Sequence, residues 1–137
     1  MRLRAPGPGW IAQADVVVIG SGVAGLTTAL QIRAHNLSVI LVTKSSVDEG
    51  STKWAQGGIA AALGPGDSPA EHERDTLVAG AGLCDLPAVK VLVSEGPEAV
   101  RKLIARGAVF DRSETGEIAL TREGGHLRNR ILHAGGD

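Results

Sequence analysis

The first strong pattern along the chain is a continuous β-branched run, Asp15 to Ile19 (DVVVI), bounded by glycine. An unbroken apolar run of this kind suits a strand buried on both faces, as in a parallel sheet. After the turn GSGVAG, Val23, Leu26, Leu30 and the aliphatic part of Arg33 recur at helical spacing, with Asn36 as the stop. A second β-branched run, LSVILVTK, ends at Lys44. Strand, glycine-rich turn, helix and strand within about 30 residues make a βαβ unit. The predicted fold class is therefore α/β with a parallel sheet.

Further along, the pattern weakens. Residues 45–68 read mostly as loop, with order expected only around Ile59 to Leu63. Pro69 to Ala79 reads as a helix, with Ser68 as N-cap and Pro69 at the first position. The stretch GAGLCD breaks it. Pro87 to Ser94 and Pro97 to Arg106 read as two helices split at Gly96-Pro97. In the second, Val100, Leu103 and Ile104 form an apolar stripe, and Gly107 suits the position after the C-cap. Val109-Phe110 and Ile118 to Leu120 are predicted to form a small hairpin around SETGE. Residues 1–13 read as a loose leader, and residues 14–137 as one domain. The ending RILHAGGD has no helix stop signal, polar tail or obvious last strand, so the domain is expected to be incomplete and the chain to be the N-terminal piece of something longer.

Composition narrows the class. Hydrophobic residues make up 43% and charged residues 21% of the 137, close to the globular norm. A formal net charge of −1 gives no reason to expect a nucleic-acid or anionic-membrane partner. Aromatics are few (Trp10, Trp54 and Phe110), which argues further against a base-stacking surface. The single cysteine, Cys84, rules out an intrachain disulfide and reads as a small packed thiol. The N-terminus lacks a secretory h-region and no early apolar run could span a bilayer, so a cytoplasmic protein is the default. Glycine, at 19 residues, is about twice its usual share of ~7%.

Two glycine-rich stretches carry candidate chemistry. Gly20-Ser21-Gly22-Val23-Ala24-Gly25 matches G-x-G-x-x-G between a predicted strand and a predicted helix, the context that separates a dinucleotide fingerprint from a plain strand-to-helix turn. The first glycine permits the tight turn, the second lets a pyrophosphate approach, and the third lets helix and strand pack closely. The helix N-terminus then offers amides to the phosphates. An acid is expected at the end of the second strand to bind a ribose, but Lys44 stands there and the nearest acid is Asp48, which weakens a generic NAD reading. The second stretch is GSTKWAQGGIAA, Gly50 to Ala61. Its Gly-Gly pair lowers stability through backbone entropy, and one reason to keep it is that something large and flat lies close to the backbone. His126 and His133 lack the company that a zinc site needs, so no metal is expected.

The blocks ADVVVIGSGVAGLTTAL, VTKS…EGSTKWAQGGIAA, DTLVAGAGLCD and LTREGGH…RILHA resemble the N-terminal region of the L-aspartate oxidase family, within the succinate dehydrogenase/fumarate reductase flavoproteins. The resemblance covers residues 14–136. It implies the N-terminal part of a Rossmann-like FAD-binding domain, and in that family a lysine at the position of Lys44 is usual. By the same carry-over, Ser21 to Ala24 and Lys44 contact the ADP half of FAD. Ser51 to Gly58 runs beside the flavin. Ser51, Thr52 and Gln56 offer hydrogen bonds, Lys53, Trp54 and Ala55 complete the segment, and Gly57 and Gly58 allow close approach. Ser51 stands where membrane-complex relatives carry a histidine bonded to the flavin, so non-covalent FAD is expected.

The resemblance also implies a role for Glu123, which stands where dicarboxylate enzymes of the family tend to be apolar. Away from a substrate it would be a solvated or Arg122-paired surface acid; facing a substrate ammonium it would read the amine. His126 beside the Gly124-Gly125 pair lines the active site more weakly, and Leu127 departs from the family's usual serine. The implied reaction is oxidation of L-aspartate to iminoaspartate, with oxygen or fumarate as acceptor, feeding quinolinate synthase and NAD synthesis. The chain by itself is expected to be inactive, since the substrate-capping domain lies outside it. The alternatives are a soluble fumarate reductase-like dicarboxylate oxidoreductase and a non-catalytic FAD-binding fragment.

Overall fold

In the computed structural model, residues 7–55 and 57–135 are described. They fall into two compact units, one ending at Ala55 and one beginning after it.

The first unit is the βαβ unit read from the pattern. Strand β1 (Val16–Ile19) pairs in parallel with β2 (Val39–Val42), with Val16 opposite Val39 and Ile19 opposite Val42. Helix α1 (Val23–Ala34) connects them, followed by the one-turn helix α2 (Ser51–Trp54). Asn36 ends α1 as expected, in the left-handed region at φ 59° with its amide on the Arg33 carbonyl. Asp15 clasps Ser38 before the two strands, its Oδ2 accepting from both the Ser38 amide and hydroxyl at 2.7 and 2.6 Å. Those bonds hold the Asp15 carboxyl below its ordinary pKa.

The double burial expected for β1 is only half present. Val18 is buried, whereas Ile19 is 85% exposed. Side chains alternate across a strand, and α1 packs on one face of this two-stranded sheet. The helix also faces inward differently from the predicted stripe. Gly25, Leu26, Ala29 and Ile32 are partly buried, while Val23 and Leu30 are exposed. The close approach of helix and strand at Gly25 sets that rotation.

The second unit contains β3 (Ile59–Ala60), α3 (Pro69–Ala79), α4 (Leu86–Ala105), β4 (Leu120–Thr121) and β5 (Ile131–Leu132). The three strands form an antiparallel sheet in the order β3-β5-β4. Helix α3 starts as predicted, with the Ser68 hydroxyl accepting from the Glu71 amide. Gly107 closes α4 at φ 103°, also as predicted. The two predicted helices at 87–94 and 97–106 are instead one, running through Pro97. Proline inside a helix removes one hydrogen bond at a cost of about 3 kcal/mol. Here Val89, Val93, Pro97 and Val100 share the buried face, and burying large aliphatic side chains contributes roughly 1.5–3 kcal/mol apiece. Packing therefore outweighs the local break. The core is Ala61, Val100 and Leu132, with Leu63, Ile104, Phe110, Ile118 and Leu120 packed around them. The expected hairpin reduces to a tight turn with one bridge, Arg112 to Ile118.

Candidate functional site

The glycine fingerprint is built at the end of β1. The Gly20 amide donates to the Val42 carbonyl at 2.8 Å, and Gly20 takes φ 107°, a conformation suited to glycine. Gly25 has no room for a side chain, because a Cβ there would run into the Gly20 carbonyl oxygen. Gly22 is the N-cap of α1 and contributes no capping side chain, and the first turn holds no acid. The helix dipole and leading amides therefore favour an anion. Ser21 is buried with its hydroxyl 2.9 Å from that of Thr43 at the end of β2, so its side chain ties the two strand ends together. Val23 and Ala24 open the helix, and Lys44, one residue past Thr43, is exposed.

The second glycine-rich stretch meets this turn through Thr52. Its hydroxyl accepts from the Val23 amide at 3.1 Å and lies 3.5 Å from where a Gly22 Cβ would stand, an ordinary van der Waals contact. The loop is thus ordered into α2, which the sequence left irregular. Lys53 bonds Asp48 at 2.9 Å, holding that carboxyl below its ordinary pKa, and its ammonium lies 5.6 Å from the centre of the Trp54 ring. Ser45, Glu49, Gly50, Ser51, Trp54 and Ala55 line an open concavity. Trp54 is 73% exposed. An exposed indole beside a ring of polar groups offers a flat apolar surface for a ring system. Gln56 lies outside the described residues. Gly57 takes φ 90° with open space around it. Gly58 has a different reason to be glycine: a Cβ would meet the Ile131 side chain, the Leu132 carbonyl and, at 3.2 Å, His133 Nε2.

In the second unit, β4 and β5 bring three polar side chains together. His133 Nε2 lies 2.7 Å from Glu123 Oε1 and 3.1 Å from Thr121 Oγ1. The Thr121 hydroxyl donates to the same Glu123 oxygen at 3.0 Å. His133 is buried, whereas the Glu123 side chain is 47% exposed. Among the described residues, Thr121 and His133, rather than Arg122, are the side chains that hold Glu123.

His126 leads away from that cluster into a buried charge node. Its Nδ1 lies 3.4 Å from Arg130, and its ring meets His72 edge-on at 5.2 Å. Arg130 is fully buried and forks onto Asp67 at 2.9 and 2.7 Å while reaching Asp75 at 3.0 Å. The Leu127 amide donates to Asp75 at 2.9 Å. That bond chiefly, then the Arg130 charge, keeps the Asp75 carboxyl below its ordinary pKa. Burial pushes the His72 imidazole down, and the charges of Arg130 and His126 add to the shift. Sequence reasoning found none of Asp67, His72, Asp75 and Arg130. The one available signal was the polar pair His72 and Asp75, three residues apart on a helix that also packs against α4. Among the described residues, no group of three His, Cys, Asp or Glu side chains is set to hold a metal ion.

Residues 15–137 match the model of the FAD binding domain. The chain belongs to that family. FAD is the cofactor of this family, and the turn at Gly20, Gly22 and Gly25, with no acid in the first turn of α1, is of a kind suited to a dinucleotide's phosphates. An L-aspartate oxidase of Streptomyces coelicolor is 66% identical over all 137 residues. A chloroplastic L-aspartate oxidase of Oryza sativa is 53% identical over 88% of the chain. The chain spans 24% and 18% of the length of these two curated relatives. Among solved structures, Mycobacterium smegmatis Sdh1 in complex with UQ1 superposes over 89% of this chain and 21% of its own, with TM-score 0.83 and 38% identity. A quinol-fumarate reductase with menaquinol molecules gives TM-score 0.83 at 30% identity, covering 88% of this chain and 21% of its own. The predicted α/β class and FAD cofactor thus both stand.

Proposed function

We propose that this FAD binding domain serves the oxidation of L-aspartate to iminoaspartate, the step that feeds quinolinate and NAD synthesis. The 66% identity to the Streptomyces coelicolor L-aspartate oxidase over every residue carries the reading. In it, Gly20 to Gly25, Lys44 and the segment Ser51 to Ala55 hold FAD without a covalent bond. FAD, when bound, supplies the acceptor for the hydride that leaves the substrate Cα. Glu123 pairs the substrate ammonium, which distinguishes aspartate from succinate by one charge. His126 is a weaker member of the site, joined to Glu123 through the turn while its ring meets Arg130 and His72. The electron acceptor is oxygen or fumarate, the imino product passes to a quinolinate synthase, and the enzyme works in the cytoplasm. No helix among the described residues is long and apolar enough to cross a membrane.

The likeness to succinate dehydrogenase and quinol-fumarate reductase structures supports a second reading, a dicarboxylate oxidoreductase without amine specificity. The two separate in a chimera in which residues 1–137 replace the matched segment of the Streptomyces coelicolor relative. Turnover of L-aspartate, with flavin released on acid precipitation, is the expected result. A chimera that retains FAD but oxidises only succinate overturns the first reading in favour of the second. Within an active chimera, Glu123→Gln keeps the shape and removes the charge. Losing one partner of a buried charge pair costs about 2–5 kcal/mol. Glu123 is half exposed here, so we take the lower end, roughly a 30-fold loss in kcat/KM for aspartate. Fumarate reduction involves no ammonium and should fall far less. An equal loss in both activities refutes amine recognition by Glu123.

A further inference from the structure

A carboxylate that reads an ammonium must present an oxygen in a fixed direction. Glu123 sits at the start of a turn in which the His126 amide reaches the Glu123 carbonyl and Gly124 takes φ 55°. Backbone of this kind does not hold a long side chain still. What holds it is a pair of donors from β4 and the residue after β5. The Thr121 hydroxyl and His133 Nε2 both converge on Oε1, at 3.0 and 2.7 Å. A carboxylate oxygen only accepts, so Oε1 takes the Thr121 hydroxyl proton and pairs with Nε2 when that nitrogen is the protonated one. The two donors also touch each other at 3.1 Å, which closes a three-membered cluster. Both bonds fall on Oε1 and the side chain is 47% exposed, which leaves Oε2 as the oxygen that a substrate ammonium would engage.

The backbone is shaped to seat this histidine. His133 follows β5, whose partners are β3 and β4. A Cβ on Gly58, beside β3, would crowd both His133 Nε2 and the carbonyl of Leu132. Leu132 itself is fully buried in the core. The glycine thus permits the approach that lets a buried imidazole reach a half-exposed acid.

We propose that His133 and Thr121 are positioning residues: together they clamp Glu123 by Oε1 and direct Oε2 toward the ammonium of an amino-dicarboxylate substrate, setting preference for that class over plain dicarboxylates. The inference rests on the proposed aspartate oxidation. Neither residue touches substrate; both act through Glu123. A hydrogen bond to a charged group is worth about one factor of ten or somewhat more in binding, and that is the size of effect expected when the clamp is opened.

The test uses the same chimera and four forms of it: unaltered, His133→Leu, His133→Gln and Thr121→Val. Gln places an amide donor near the position of Nε2, so it serves as the conservative rescue. kcat and KM are measured for L-aspartate oxidation and for fumarate reduction, with flavin content and Tm as controls. Opening the clamp is expected to raise KM for aspartate roughly tenfold with kcat little changed. KM for fumarate should hold, and His133→Gln should recover most of the loss. A general loosening of the fold would move both substrates and the flavin content together, which overturns the proposal. An unchanged KM for aspartate in Thr121→Val and His133→Leu also overturns it. Should His133→Leu not fold, Thr121→Val and His133→Gln decide: selective loss in the first with retention in the second supports the clamp, and any other pattern overturns it. An unaltered chimera that holds FAD and does not oxidise aspartate removes the underlying reading as well, a result distinct from all of these.

Discussion

Replacing Arg130 by methionine is the most informative single perturbation of the second unit. The guanidinium lies at 0% side-chain exposure between two carboxylates that are themselves 1% and 2% exposed. Its fork matches Asp67 bidentately, and its remaining nitrogen reaches Asp75. Methionine fills similar volume and supplies no charge. The variant leaves two buried carboxylates whose other recorded partners are the Ser68 amide at 2.9 Å and the Leu127 amide at 2.9 Å. Removing one member of a buried ion pair costs about 3–5 kcal/mol, because the survivors keep their desolvation penalty. Whole domains have only about 5–15 kcal/mol of stability, so the loss should be plain in urea unfolding of the chain followed by far-UV circular dichroism.

A second signature separates this account from simple loss of packing. The stranded Asp75 carboxylate loses the Arg130 charge that helps to hold its pKa below the ordinary value, so that pKa should rise in the variant. Acidification from pH 7.5 toward pH 5 then relieves part of the penalty, and the deficit relative to the unaltered chain should shrink. Arg130→Lys keeps the charge and loses the fork, so an intermediate deficit is expected. Amide exchange at Leu127, which donates to Asp75, should accelerate in Arg130→Met. A deficit below about 1 kcal/mol with no pH dependence is what an exposed pair gives and would refute the argument that this node holds residues 126–130 against α3.

Two further expectations are checked on the same chain. The folded-state pKa of His72 lies below the ordinary value of 6.5, first through burial and then through Arg130 and His126. Its neutral form therefore contributes stability that is fully present above pH 6.5 and is lost as pH falls through the lowered value; His72→Leu should flatten the stability profile between pH 7.5 and 5, and parallel profiles would contradict this. Gly58→Ala places a Cβ against Ile131, the Leu132 carbonyl and His133, and should lower stability by about 1–3 kcal/mol, as overpacking does; an unchanged urea midpoint would show that β3 and β5 yield without strain.

The parts of the structure legible in the sequence are those whose causes are local. The βαβ unit is visible because β-branched runs, a glycine fingerprint and Asn36 each act within a few residues. Helix α3 is visible because Ser68 and Pro69 make its start. The parts that escape depend on distant partners. Helix α4 continues through Pro97 because Val89, Val93 and Val100 bury the same face, and no rule about proline alone contains that. Strands β3, β4 and β5 are two residues each, too short for a period, and β3 joins β5 across most of the second unit. Arg130 finds Asp67 over 63 residues of chain. Gly58 suggested close approach of a flat molecule, yet the contacts at its missing Cβ come from β5.

The candidate site divides the same way. The residues proposed to cradle phosphate follow from glycine chemistry at a strand-to-helix turn. Glu123 drew notice through family resemblance, since nothing in the spacing of TREGGH distinguishes a reader of ammonium from a solvated acid. The structure adds its neighbours. One oxygen is held by Thr121 and His133, and the side chain stays half exposed. His133 offered only a lone histidine with no metal-ligand company, and its position is decided by β5, itself held by Leu132 in the core and by the space left at Gly58. The carboxylate proposed to read the substrate ammonium is therefore held by the least locally encoded elements of the chain. Changes at Gly58, beside β3, or at Leu132, in β5, should then alter amine preference through His133 rather than only through stability.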